Sequence, residues 1–290
     1  LRKGAIKAAK PAAITAARTR LHANLVSDSL VLVGADLMPT IADKDNTASV
    51  AIAKHLSQQL GAKVAKARPA AQTLGIAFER HCLTFVRETF PLLVGLRPGQ
   101  WKIESGKSIA NFEQYAHLLA VDKVLRANPE LRAALGGDYI IKPDIVVSRV
   151  PESDAVINEH GAVVDAHSAN HTVLRARNGG SDMLHASISC KWTIRSDRVQ
   201  NVRAEALNLI RNRKGHLPHV VSVTAEPLPS RLASLCLGTG DLNCVYHVAL
   251  PELLAAVAAC GYDDALSTLR ELVDGRRLKD ISDLPLDLAV

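Results

Sequence analysis

Two short segments carry residues whose types and spacing suit phosphodiester chemistry. Lys142-Pro143-Asp144 places a carboxylate among the apolar neighbours Ile140, Ile141, Ile145 and Val146. A charge in such surroundings needs a partner, and a bound cation is one. The ordinary alternative is an Asp that caps or salt-bridges the end of a strand. Ser189-Cys190-Lys191 follows in a second apolar segment. Side chains alternate along a strand, so Ser189 and Lys191 point to one face and Cys190 to the other. If the two segments pair, a carboxylate and an ammonium converge at one edge of a sheet. Hydrolysis of a phosphodiester uses such a set. The acid holds a divalent metal against the phosphate, and the cation stands near the attacking water or the developing charge.

Two more acids extend the set. Glu205 follows Lys191 on a helical stretch, and Glu79 lies beside apolar Phe78 on an earlier one. On their own both read as surface acids. Between Lys191 and Glu205 stands Arg195-Ser196-Asp197-Arg198, at the start of a helical pattern. Side chains at a helix start can enter a major groove. Arginine there can grip guanine O6 and N7 with two hydrogen bonds, and aspartate can accept from cytosine N4. The segment therefore suits a G·C-rich duplex, and Arg203, Arg211, Arg213 and Lys214 add positive charge behind it. The plain alternative is a charged helix start in which Asp197 favours the dipole.

The elements that must position these residues follow from periodicity. Residues 139–147 are predicted as one strand. Residues 184–194 are predicted as another, with Ala186, Ile188, Cys190, Trp192 and Ile194 on one face. Val199, Val202, Ala206, Leu209 and Ile210 form an apolar stripe that predicts a helix over 196–213, with Ser196 as its N-cap. Helices are also predicted over 73–90 and 111–127, further strands over 220–224 and 244–250, and loops over 36–46 and 151–180. Strands separated by helices give an α/β fold.

The bulk composition bounds the function. The chain has 290 residues, 48% hydrophobic and 22% charged, which is a globular composition for one large domain or two small ones. A net charge of +6 favours polyanionic partners. Aromatic residues make up only 3%, which disfavours stacking on single-stranded bases. The five cysteines form no C-x-x-C pair, so neither a disulfide framework nor a zinc knuckle is indicated. Residues 248–261 are apolar but too short to span a bilayer. Residues 1–27 carry six Lys or Arg and no acid, and read as a surface helix on the DNA-facing side. Gly238-Thr239-Gly240 is followed by no helix start of the kind that cradles a phosphate. A non-catalytic DNA-binding protein would explain the arginines but not the acids and lysine gathered around them.

P-D, then S-x-K, then R-S-D-R, then a helical Glu resembles the type II restriction endonucleases that recognise CCGG-containing sites. In that family the second acid of the PD-(D/E)xK motif is replaced by Ser, and the acid comes from the helix. The resemblance extends through Ala186–Arg198, Arg211-Asn212-Arg213-Lys214-Gly215 and residues 277–290. It runs from about residue 40 to the end, and the basic segment 1–35 shows it least. It implies one PD-(D/E)xK domain over 1–290, with a mixed central β-sheet flanked by helices. It implies that Asp144, Ser189, Lys191 and Glu205 form the active site, with Glu79 as an outer acid. Asp144 and the backbone carbonyl of Cys190 would hold Mg²⁺, two ions per site, with the other acids acting through water. Arg195, Asp197 and Arg198 would read the CCGG core, Asp43 and Arg231 the outer base pair of GCCGGC, and Gln72 the minor groove. The resemblance further implies a homotetramer, a dimer of dimers, on double-stranded DNA. It also implies a bacterial cytoplasmic setting and a cognate DNA methyltransferase that protects the host.

Overall fold

The computed structural model describes residues 10–137, 139–238 and 240–290. Residues 1–9 of the basic segment, and Thr239 of Gly238-Thr239-Gly240, lie outside them. Helix α1 (Ala13–Asp28) leads into a small sheet of β1 (Leu32–Val33), β2 (Met38–Pro39) and β3 (Val64–Ala65). Helix α2 (Thr47–Gln59) lies between β2 and β3, and α3 (Ala71–Thr89) follows. Strand β4 (Trp101–Ser105), α4 (Leu118–Ala127), α5 (Pro129–Leu135), β5 (Ile145–Arg149) and the short α6 (Asp154–Ile157) come next. The rest of the chain is β6 (Met183–Lys191), α7 (Ser196–Asn212), β7 (His219–Thr224), α8 (Pro229–Cys236), β8 (Cys244–His247), α9 (Leu250–Ala259), α10 (Asp263–Asp274), β9 (Leu278–Asp280) and the short α11 (Leu284–Asp287).

The main sheet has the order β4-β5-β6-β7-β8-β9. Its first three strands are antiparallel and its last four run parallel. The fold is α/β, as the pattern predicts, and the sheet is mixed, as the resemblance implies. Strand β6 is the hinge between the two halves, and Leu184–Cys190 are buried throughout. The strand is covered on both faces, so His185, Ser187 and Ser189 are buried as well as the apolar residues that alternate with them. Its Cys190–Trp192 end packs on α3, where Phe78 meets the Trp192 ring at 5.3 Å.

Helix α1 is present as the basic N-terminal stretch predicts, but it does not form a free cationic face. Its Ala17, Leu21 and Leu25 are buried, and its arginines are already paired. Arg18 bridges Glu252 of α9 and Asp280 of β9 at 2.5–2.9 Å, and Arg20 meets Glu88 of α3 at 2.7 Å. The helix is therefore a clamp across both ends of the fold.

Four predicted elements differ; the first, the strand expected over 184–194, ends at Lys191. The strand expected over 139–147 begins only at Ile145, because Pro143 has no N–H to give the ladder. The helix expected from residue 111 begins at Leu118. Residues 109–118 turn instead through three-residue hydrogen bonds, Phe112 N to Ile109 O and Tyr115 N to Phe112 O. The strand expected to reach residue 250 stops at His247, and Leu250 opens α9. The loop over 151–180 is built around Arg175, which is fully buried and binds Asp154 at 2.5 and 2.8 Å.

Candidate active site and DNA-reading face

The site forms where β5 begins and β6 ends. Ile145 pairs with Ile188, so the register continued by two residues sets Pro143 opposite Cys190. Proline cannot donate, and the antiparallel ladder stops there. The Cys190 N–H donates instead to Asp144 Oδ2 at 2.6 Å, and Lys191 Nζ donates to the same oxygen at 3.0 Å. In an extended strand the N–H and C=O of one residue share an edge. The Cys190 carbonyl therefore faces Asp144 as well. Its thiol points the other way, and contact with Cys82 and full burial push its pKa up. The alternation read from the sequence holds at this triplet.

Glu79 reaches the same point from α3 and Glu205 from α7. Burial raises the Glu79 carboxyl above its ordinary range, Asp144 adds to the effect, and Lys191 opposes it. Burial also raises Glu205, against the pull of Lys191 and with the repulsion of Asp144. For Lys191 burial works against the charge. The charge and hydrogen bond of Asp144, with Glu205 behind them, outweigh it and hold the ammonium above its usual value. Three carboxylates thus share one lysine. Ser189 is buried nearby, and its hydroxyl has no hydrogen-bond partner.

These residues fit a divalent cation. The donors are hard oxygens, they carry one lysine's worth of positive charge against three acids, and an orphaned hydroxyl sits beside them. Among the described residues no three His, Cys, Asp or Glu side chains stand close enough to hold a metal without other donors. A site here would lean on Asp144, the Cys190 carbonyl and water.

The arginine-rich segment follows β6 directly. Helix α7 starts at Ser196, and Arg195 rather than Ser196 occupies the N-cap, with extended φ/ψ and no side-chain cap. Arg195 and Asp197 are exposed, whereas Arg198 is half-buried and donates to the Thr193 carbonyl at 2.9 Å. Arg231, on α8, pairs with Asp43. The hydrogen bond from Arg231 depresses the Asp43 carboxyl, helped by the Asp45 N–H and, at longer range, by Arg195. The Asp43 backbone is fixed in turn, since its N–H donates to the Ser49 hydroxyl at 3.0 Å. Asp43, Arg195 and Arg231 line two adjoining clefts, which Arg68, Arg198 and Arg203 extend. Gln72 is exposed in the first turn of α3, next to Ala71 on the rim of that face.

One residue at this face escaped the sequence reading. Glu226 is fully buried just past β7, and its two oxygens accept from Ile194 N–H at 2.7 Å and Leu228 N–H at 3.1 Å. The signal for it was a lone acid within the apolar run Val220–Leu228, the same signal that marked Asp144.

Comparison with known proteins gives the family. The NgoMIV restriction enzyme family model matches residues 21–290. The type II restriction enzyme NgoMIV of Neisseria gonorrhoeae is 50% identical over 281 residues, covering 95% of this chain and 98% of that protein. The chain belongs to the NgoMIV restriction enzyme family, and is a type II restriction endonuclease.

Proposed function

We propose that this endonuclease cuts double-stranded DNA at the palindrome GCCGGC, with Mg²⁺ bound at Asp144. The observation that carries this reading is one convergence. Asp144, the Cys190 backbone and Lys191 meet at the end of β6, four residues before the helix start that carries Arg195, Asp197 and Arg198. Asp144 and the Cys190 carbonyl would hold the metal, with Glu79, Glu205 and Ser189 reaching it through water. The carboxylate excess supports two ions per site. A divalent cation there would polarise the scissile phosphate. Lys191 orients water near Asp144 and offsets negative charge on the phosphate. Glu205 supplies the second acid that Ser189 cannot, because a hydroxyl carries no charge.

Arg195 and Arg198 read guanines of the CCGG core, and Asp197 accepts from cytosine N4. Asp43 and Arg231 read the outer pair, and Gln72 enters the minor groove. Their grouping on one face supports these roles. A two-fold palindrome suits a two-fold dimer, and two such dimers make the homotetramer. No helix among the described residues is long and apolar enough to cross a membrane. A bacterial cytoplasm, and a methyltransferase that marks the same palindrome, complete the proposal.

The test is to incubate the protein with plasmids of known sequence and Mg²⁺, then sequence the product ends. Ends at GCCGGC, with faster cutting of two-site than one-site plasmids, are expected. Cutting at unrelated sequences would overturn the assigned site, and equal rates would overturn the tetramer.

A further inference from the structure

Two base-reading segments come from different parts of the chain, and one buried side chain holds both. Ile194 immediately precedes Arg195, and its N–H donates to Glu226 Oε2 at 2.7 Å. Leu228 is the residue before α8, and its N–H donates to Glu226 Oε1 at 3.1 Å. Arg231, one turn into α8, lies 3.9 Å from the same Oε1. The Glu226 N–H is itself tied to the Thr224 hydroxyl at 3.1 Å, so the carboxylate is anchored to the end of β7.

We propose that Glu226 is a positioning residue for sequence recognition, locking the start of α7 to the start of α8 so that Arg195, Asp197, Arg198 and Arg231 meet DNA as one rigid unit. This rests on the base-reading roles proposed above and adds the means by which the inner and outer readers keep register. Only a carboxylate of this length serves. Both of its oxygens must accept, and an amide offers one acceptor and one donor. In Glu226→Gln an NH₂ group must face either the Ile194 or the Leu228 N–H, so one of the two ties breaks. Glu226→Asp keeps both acceptors but withdraws them by one methylene.

The experiment uses the full chain at about pH 8, where Glu226 is ionised and both oxygens accept, in Ca²⁺ with three duplexes, carrying GCCGGC, ACCGGT and a scrambled site. Hydrogen exchange of the free protein is followed over residues 192–199 and 228–235. Glu226→Gln should speed exchange at Ile194 or Leu228. It should also reduce the preference for GCCGGC over ACCGGT by roughly tenfold, within the range of one base contact. Glu226→Asp should fall between the two. A folded Glu226→Gln protein with unchanged exchange and unchanged preference overturns the proposal. If that variant does not fold, Glu226→Asp decides in the same way, since equal preference there overturns it too. An unaltered protein with no preference for GCCGGC over the scrambled duplex would be a different failure. It would remove the base-reading roles themselves, and this proposal with them, whatever the exchange data show.

Discussion

Replacing Lys191 with Met should have opposite effects on metal binding and on cleavage. Lys191 Nζ lies 3.0 Å from Asp144 Oδ2, the oxygen that a metal at this site would also use. A divalent ion about 4 Å from the ammonium would be repelled by about 2 kcal/mol in bulk water and about 8 kcal/mol at an effective dielectric of 20. The side chains of the pair are 19% and 27% exposed, so the real penalty lies between those limits. Even the lower limit corresponds to roughly a thirtyfold change in affinity. Lys191→Met has similar length and no charge. Calcium should therefore bind the DNA-free variant at least about thirtyfold more tightly, as calorimetric titration would measure at constant ionic strength. Cleavage should fall by orders of magnitude, because the reacting phosphate loses its cation. Weaker or unchanged calcium affinity in a folded Lys191→Met protein would mean that the metal does not compete with Lys191 for Asp144. The reading of the site would then fail.

Three further outcomes are expected. Glu205→Ala should slow single-turnover cleavage far more than Ser189→Ala, and the reverse order would show that the helix does not supply the second acid. Asp197→Asn should weaken binding to GCCGGC in Ca²⁺ by about 1–3 kcal/mol while changing urea stability by less than about 1 kcal/mol; undiminished preference would remove its reading role. Burial raises Glu226 from 4.5 to about 7, which costs its charged form about 3 kcal/mol. Its folded pKa lies above its unfolded one, so its contribution to stability is greatest below pH 4.5 and is lost as pH rises to about 7. In urea titrations at fixed protein concentration, the stability of the unaltered protein relative to Glu226→Gln should therefore decline by about 3 kcal/mol over that window. A difference that stays flat with pH would contradict it.

The strand carrying Lys191 and the helix after it were legible because both obey simple periods. Strand β6 alternates against α3, and α7 keeps a clean apolar stripe. The segment around Asp144 was legible in its chemistry but not in its boundaries. Ile140 and Ile141 are apolar because they pack against the core, not because they join the ladder. Apolar character alone does not separate those cases. Strand β4 was missed because it is an edge strand with Lys102 and Glu104 facing outward, which dilutes its pattern. Strand β9 is three residues long, too short for any period to register. The pairing of Asp43 with Arg231 joins residues 188 apart in the chain, and spacing cannot reveal such a contact. Glu226 was hidden for a related reason. Its partners are backbone N–H groups, which every sequence has and none advertises.

Pro143 carries no reactive group, yet it decides whether this corner of the sheet stays unzipped. With any other residue in its place, a backbone N–H would stand across from Cys190, and the two strands would be free to close by one more rung. The Cys190 carbonyl would then be spent on the sheet. Grafting Asp144, Ser189 and Lys191 onto another pair of strands would transfer the side chains without the open rung, and so without an unpaired main-chain oxygen beside them. The fraying of one strand by a residue that cannot pair is thus as much a component of the site as the acids around it.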